Sequence, residues 1–378
     1  MPQATHVGDL TTAFSGRSVL VTGHTGFKGS WLALWLATLG ARVTGYALAP
    51  ETRPALFEAS GVAELLHRHV LGDVRDRDAV AAAVRRTAPD VVLHLAARTV
   101  VRESYVRPAE AFSVNVDGTT AVLDAVRALD RPCVVVVVTS DKCYANDESG
   151  RPFTETDPLG GRDPYSASKA AQELVTQSYR DSFFGPQEQA AAGRPMQRLA
   201  SGRAGNVIGG GDWTADGLVA DLARARMRRE QTVLRNPTAV RPWQHVLEPL
   251  SGYLTLAARL VAADGGSAGS AYNFGPDPED DATVEELVSR LMTAWGPLPG
   301  GGASWRSEPG SGVVHEAGVL RLAIDRAQAE LGWRPRWRLD ETLARTARWY
   351  RRFEEDPGKA REECLTDIAA YTAALAQA

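Results

Sequence analysis

The chain has 378 residues, 44% hydrophobic and 23% charged, with a formal net charge of −4. That size buries an ordinary core and predicts two lobes or one large α/β unit, which excludes a small cross-linked scaffold. The slightly acidic balance excludes bulk attraction to nucleic acid or to an anionic membrane, so any basic site is local.

Residues 1–15 carry Asp9 and no basic cluster ahead of an apolar stretch, so they read as a frayed extension and not as a secretory signal. Next comes a short β-branched run at 18–22, a segment of helical length and apolar periodicity at 30–39, and a strand-like run at 42–46, together a βαβ unit. Further strands are expected just before Gly72 and at 91–95 and 134–139, with helices at 79–86 and 119–128. Nearly all-apolar strands alternating with helices predict a doubly wound α/β fold, its parallel sheet covered on both faces. The apolar run at 133–138 is far shorter than the roughly 20 residues of a membrane helix, so no insertion is expected. Cys133, Cys143 and Cys364 lack metal-ligand spacing and read as reduced thiols.

After Phe184 the texture changes. Residues 185–197 read as a surface loop, and helices at 216–229 and 283–293 are separated by short strands near 232–234 and 270–274. A Gly/Pro-rich loop at 296–302 precedes a helix rich in arginine and aromatics at 339–353. The predicted division is a dinucleotide-binding domain from 16–207 with 239–275, and a smaller, discontinuous α/β substrate-binding lobe from 208–238 with 276–353. Residues 354–378 form a C-terminal tail in this reading.

Directly after the first strand stands Gly23-His24-Thr25-Gly26-Phe27-Lys28-Gly29. A tight turn, close approach to a pyrophosphate and close helix-to-strand packing each require a missing side chain, which marks a Rossmann-type cofactor turn. The following helix N-terminus adds amide donors and a positive dipole end for the phosphates. Thr25, Phe27 and Lys28 are assigned to the cofactor with the three glycines; plain packing is the alternative. Asp73, beside Val74, can accept from adenine amino groups or cap a turn, and Leu95-Ala96-Ala97 lets a cofactor lie close to the backbone or simply fills the core. The acidic ribose reader expected about 20 residues beyond the glycines is absent from Tyr46-Ala47-Leu48-Ala49-Pro50, which leaves NAD against NADP open. Arg53 reads as a solvated loop arginine.

Tyr165-Ser166-Ala167-Ser168-Lys169 places a phenol and an ammonium on one helical face. A phenol of pKa about 10 is a poor base at neutral pH, and a nearby ammonium favours phenolate, so Lys169 is expected to lower Tyr165. The strand end Thr139-Ser140-Asp141-Lys142 offers a hydroxyl and two proton-transfer groups at the sheet edge where ligands of such folds collect. A surface-turn salt bridge is the alternative for Asp141 and Lys142. Asn115 can bind backbone, relay a proton or pack. His315-Glu316 has no third ligand at proper spacing, so no metal is expected.

Taken together, the three glycines, Asp73, Asn115, Ser140 and Tyr165-x-x-x-Lys169 resemble the extended short-chain dehydrogenase/reductase family over about residues 16 to 350. The stretches 24–31, 139–144, 204–213 and 241–246 are similar to its CDP-glucose 4,6-dehydratase branch, where a lysine at the Lys142 position is typical. That branch often carries an aspartate where this sequence has Ala49 or Pro50. The resemblance implies CDP-glucose as substrate and NAD as a cofactor that stays bound, since it is regenerated in every cycle. It implies Tyr165 as base at sugar carbon 4, Ser140 on the developing carbonyl and Asp141 as acid for the hydroxyl leaving carbon 6. Lys142 lies near the carbon-5 proton, as base or as enolate stabiliser. Asn206 and Arg241 lie beside the diphosphate, with Arg102 and Asn115 as further substrate-side candidates. A cytoplasmic homodimer through helices around 112–128 and 165–184 is also implied. The alternatives are an epimerase or reductase on the same fold and, more distantly, a silent dinucleotide sensor. Asp141-Lys142 separates dehydratase from epimerase, which needs no acid for a leaving hydroxyl.

Overall fold

The computed structural model describes residues 7–234, 236–262, 270–296, 305–307 and 318–377. The β-branched runs form a seven-stranded parallel sheet of β1 (Ser18–Thr22), β2 (Arg42–Ala47), β3 (Arg68–Leu71), β4 (Val91–His94), β5 (Cys133–Val138), β6 (Gln197–Ala204) and β7 (Ala271–Phe274). The spatial order is β7-β6-β5-β4-β1-β2-β3. Thr22 is paired with Tyr46 of β2 on one side and His94 of β4 on the other. The chain reverses direction across the sheet here, which opens a crevice beyond the strand ends.

Side chains alternate between the sheet faces, and so do the cores. Val19, Val21, Leu93 and Val136 pack with α2 (Phe27–Thr38) and the helices on its side. Leu20, Val92, Val135 and Val137 pack on the other face with α3 (Arg77–Thr87) and α4 (Gly118–Arg127). The catalytic-motif helix α5 (Pro164–Phe183) follows, then α6 (Leu218–Arg228), α7 (Leu247–Ala262), α8 (Val284–Trp295) and α9 (Leu339–Glu355).

Both chain ends differ from the expectation. Residues of the supposed frayed extension form α1 (Val7–Phe14), whose Leu10 and Phe14 are buried, and the supposed tail forms α10 (Ala360–Ala376). The reason lies in α2, which is apolar all round: Trp31, Leu32, Leu34, Trp35 and Leu36 are all buried. A helix with no polar face needs cover on its outer side. α10 packs there, with Trp35 meeting Tyr371 edge-on at 5.6 Å between ring centroids.

The stretch 185–197 is not a plain loop either. Pro186–Ala191 is helical, and Gln189 exchanges hydrogen bonds with the Gln197 backbone (2.6 and 2.7 Å), seating the start of β6. All three cysteines are buried and free. No helix of the described residues is long and apolar enough to cross a membrane. His315 and Glu316 lie outside the described residues, among which no group of three or more potential metal ligands is found.

Candidate active site

A cleft of about 620 Å³ runs along the carboxyl ends of the strands. At the glycine turn each glycine has its own task. A Cβ on Gly23, at φ +74°, would lie 2.7 Å from the Ala96 nitrogen, so this glycine lets the β4 end approach. A Cβ on Gly29 would lie 2.1 Å from the Gly23 oxygen, so this one seats α2 on the turn. On Gly26 it would meet nothing closer than the Gly23 oxygen at 3.4 Å, and what it keeps open is the cleft floor. The Thr22 hydroxyl closes the construction, accepting from Leu95 N and Ala96 N (both 3.2 Å) and bonding His94 Nδ1 at 2.7 Å.

α2 begins with no capping side chain and no acid in its first turn. Its first amides are therefore available to an anion, and the dipole favours one there. This fits the pyrophosphate of a dinucleotide. Thr25, Phe27, Lys28, Val74 and Ala97 also line the cleft, as do Leu95, Ala96 and Asp73. The Asp73 carboxylate pairs with Arg75 at 2.5 Å, which holds its pKa below the ordinary value.

The edge at the β5 end is built from side chains. Asp163 caps α5 by accepting from Ser166 N at 2.9 Å, and Pro164 opens the first turn, which puts Tyr165 and Lys169 one turn apart at the β5 end. Lys169 Nζ donates to Gln172 Oε1 (2.8 Å) and to the Val138 carbonyl (3.3 Å). Burial, with Lys28 nearby, lowers its pKa to about 7. The expected lowering of Tyr165 is not found. Burial drives the phenol well above its ordinary value, the carboxylates of Asp141 and Asp163 add to this, and a hydrogen bond with Ser140 draws it only partly back. Desolvation of the buried phenol outweighs the Ser140 hydrogen bond that favours its ionised form.

Ser140 Oγ donates to Asp141 Oδ1 at 2.9 Å and accepts from Lys142 N at 3.2 Å. Ser140 and Lys142 line the cleft, whereas Asp141 is buried just beneath it, with its Oδ2 unpartnered. Burial raises the Asp141 pKa against the pull of Lys142, Arg241 and Lys28. Lys28 is lowered to about 8 by its own burial, with Asp141 and Asp212 as its opposing charges. Behind this edge Glu173, one turn beyond Lys169, takes Thr139 Oγ1 (2.5 Å), Ser201 Oγ (2.9 Å) and Arg203 Nη2 (2.7 Å). That buried knot ties β5, α5 and β6 together.

Arg102, Asn206 and Arg241 all line the cleft. Arg241 is buried and its Nη1 donates to the carbonyls of Val240 (2.9 Å) and Gly318 (3.1 Å). Asn115 is placed differently from the expectation and does not reach the cleft. Its Oδ1 accepts from Arg98 N (2.8 Å) and its Nδ2 donates to Arg98 O (3.1 Å) and Ser168 Oγ (2.8 Å). With both ends of its amide committed it braces the loop after β4 against α5. Sequence reasoning missed Glu51, Arg98 and Asp212 in the cleft wall and the Glu173–Arg203 pair behind it. Glu173, four residues after Lys169, was the one with a readable signal.

Residues 19–275 match the NAD dependent epimerase/dehydratase family. The chain belongs to that family. Among epimerase/dehydratase relatives it is 46% identical over 340 residues to CDP-glucose 4,6-dehydratase from Salmonella typhimurium, covering 89% of this chain and 91% of that one. Among solved structures it is similar to a dTDP-glucose 4,6-dehydratase from Streptomyces venezuelae with NAD bound, at 26% identity and a TM-score of 0.71, covering 90% and 99% of the two chains. A UDP-glucose 4-epimerase from Thermus thermophilus in complex with NAD gives 26% identity and a TM-score of 0.70, over 88% and 98%. Epimerases and dehydratases thus share this fold, so the fold alone does not separate the two reactions.

Proposed function

We propose that this enzyme converts CDP-glucose to CDP-4-keto-6-deoxyglucose. The identity to the Salmonella enzyme supports the substrate. The reaction is carried by one observation: Asp141, a buried carboxyl of raised pKa, is hydrogen-bonded to Ser140 beside Tyr165. Such a group holds a proton for a departing hydroxyl, which an epimerase has no use for.

NAD, bound at the glycine turn, would supply the acceptor and donor of the electron pair that leaves carbon 4 and returns at carbon 6. Tyr165 takes the proton of the carbon-4 hydroxyl. Ser140 hydrogen-bonds the oxygen as it becomes a carbonyl, which acidifies the carbon-5 hydrogen. The carbon-5 proton leaves as the hydroxyl protonated by Asp141 departs from carbon 6, and a proton returns to carbon 5 when the electron pair reaches carbon 6; Lys142 stands at the carbon-5 side, carrying that proton or holding the enolate. Arg241, Asn206 and Arg102 hold the diphosphate as cationic and amide donors. Residues 208–238 with 276–353 act as the substrate lobe over a cofactor domain of 16–207 with 239–275. The enzyme works in the cytoplasm as a homodimer, for which exposed Phe112, Leu174 and Phe183 on the helices around 112–128 and 165–184 supply apolar surface.

Incubation with CDP-, TDP-, UDP- and GDP-glucose, followed by mass analysis, tests the reading. CDP-glucose is expected to be consumed fastest with loss of one water. An isomer of unchanged mass overturns the reaction class, and preference for another nucleotide overturns the base assignment. A monomeric mass by light scattering at micromolar concentration overturns the dimer.

A further inference from the structure

The dinucleotide site lacks the acid that ordinarily follows its second strand, yet a carboxylate reaches the same wall from slightly further along. β2 ends at Ala47, and residues 48–52 run along the cleft. The Thr25 hydroxyl donates to the Leu48 carbonyl at 2.9 Å and so pins this run over the glycine turn. Glu51 is the first carboxylate after β2 and lines the cleft. Opposite stands Arg98, from the loop after β4 that Asn115 braces. Arg98 Nη1 donates to Glu51 Oε1 at 2.5 Å, while Nε and Nη2 donate to Glu110 Oε1 at 3.1 and 2.5 Å. One guanidinium is thus shared between two carboxylates. Asp73, the adenine-side acid, lies within electrostatic range of the same arginine.

Resting on the reading of NAD as the resident cofactor, we infer that Glu51, oriented by Arg98, reads the adenosine ribose and sets the choice of NAD over NADP. Its carboxylate accepts from the ribose 2′-hydroxyl and repels a 2′-phosphate. It also occupies the arginine that would otherwise take that phosphate, which is the usual route to NADP binding. The pair therefore acts twice against the phosphorylated cofactor.

Calorimetric titration of the nucleotide-free enzyme with NAD and with NADP, without any sugar nucleotide, tests this independently of which substrate is dehydrated. Wild type is expected to prefer NAD, and a preference for NADP overturns the inference together with the NAD reading. Glu51→Gln removes a hydrogen bond to a charged acceptor, so NAD should bind about 10-fold or more weaker. NADP should bind tighter as Arg98 is released, and Glu51→Gln/Arg98→Met should lose that gain. Glu51→Asp keeps the charge but shortens the reach, so NAD weakens and NADP stays excluded. An unchanged NAD-to-NADP ratio in Glu51→Gln, or equal weakening of both nucleotides, overturns the inference. An NADP gain that survives in the double variant overturns the part given to Arg98.

Discussion

At the Gly23 to Gly29 turn the cleft offers backbone amides and missing side chains, whereas at the β5 end it offers Ser140, Tyr165 and Lys169, with Asp141 buried just beneath them. The first end carries no titrating contact group in its glycines and is defined by steric clearance. The second is defined by desolvation, which holds Tyr165 and Asp141 above their ordinary pKa values and Lys169 below its own. Substitutions should therefore act on clearance at one end and on charge at the other.

The largest expected effect lies at the charged end. Tyr165→Phe keeps the ring and removes the oxygen that starts oxidation, so neither product nor reduced cofactor should form after mixing with CDP-glucose. Asp141→Asn should still oxidise carbon 4 but lose elimination by about 100- to 10,000-fold, so reduced nicotinamide absorbance should build up in a single turnover. Elimination at the wild-type rate in Asp141→Asn would remove Asp141 as the acid.

A stability effect of a few kcal/mol is expected at Lys169, by order of magnitude from its lowered pKa. Unfolded, the lysine holds its proton up to about 10.5, and folded only up to about 7. The unfolded chain therefore binds more protons between these values, and stability rises with pH across that window. Burying the charged lysine costs stability fully below about pH 7, and the cost disappears above about 10.5. Lys169→Met, though inactive, should be more stable than wild type to urea at pH 7, with the gap closing toward pH 10. A gap that is constant with pH would show that the lysine is not desolvated as described.

At the glycine end the effects are smaller and separable. Gly29→Ala forces a backbone shift beside the Gly23 oxygen and should cost about 1–3 kcal/mol in urea unfolding, with weakened NAD binding. Gly26→Ala meets only ordinary contacts, so it should leave urea unfolding near wild type while still weakening NAD. Equal stability losses in the two variants would erase the distinction between packing glycine and floor glycine.

What could be read from the sequence followed the same divide. The glycine turn and the Tyr165–Lys169 pair are local, so spacing alone placed them. Strands β1, β4 and β5 were equally legible, because they are almost wholly apolar and buried on both faces. β6 was not, since buried Gln197, Ser201 and Arg203 break the apolar pattern; Gln197 Nε2 donates to the Val126 and Leu129 carbonyls, and Glu173 satisfies Ser201 and Arg203, partners that no local spacing reveals. Of the roles open to Asn115, the sequence could not single out backbone binding for the same reason: its partners are the Arg98 backbone and Ser168. Helix α10 did leave a trace, the absence of any polar face on α2, which asks for a cover without saying where in the chain it comes from; α1, which packs on α7 and α10, left none there.

That cover has a consequence for how the protein is made. Trp35 of α2 is shielded by Tyr371, and nearly the whole chain separates the two. At roughly 5–20 residues per second on the ribosome, the turn that grips a dinucleotide emerges on the order of tens of seconds before the helix that shields its outer side. Through that interval the outer side of α2, Trp35 included, stays uncovered, and it is shielded only once residues 360–376 have been made.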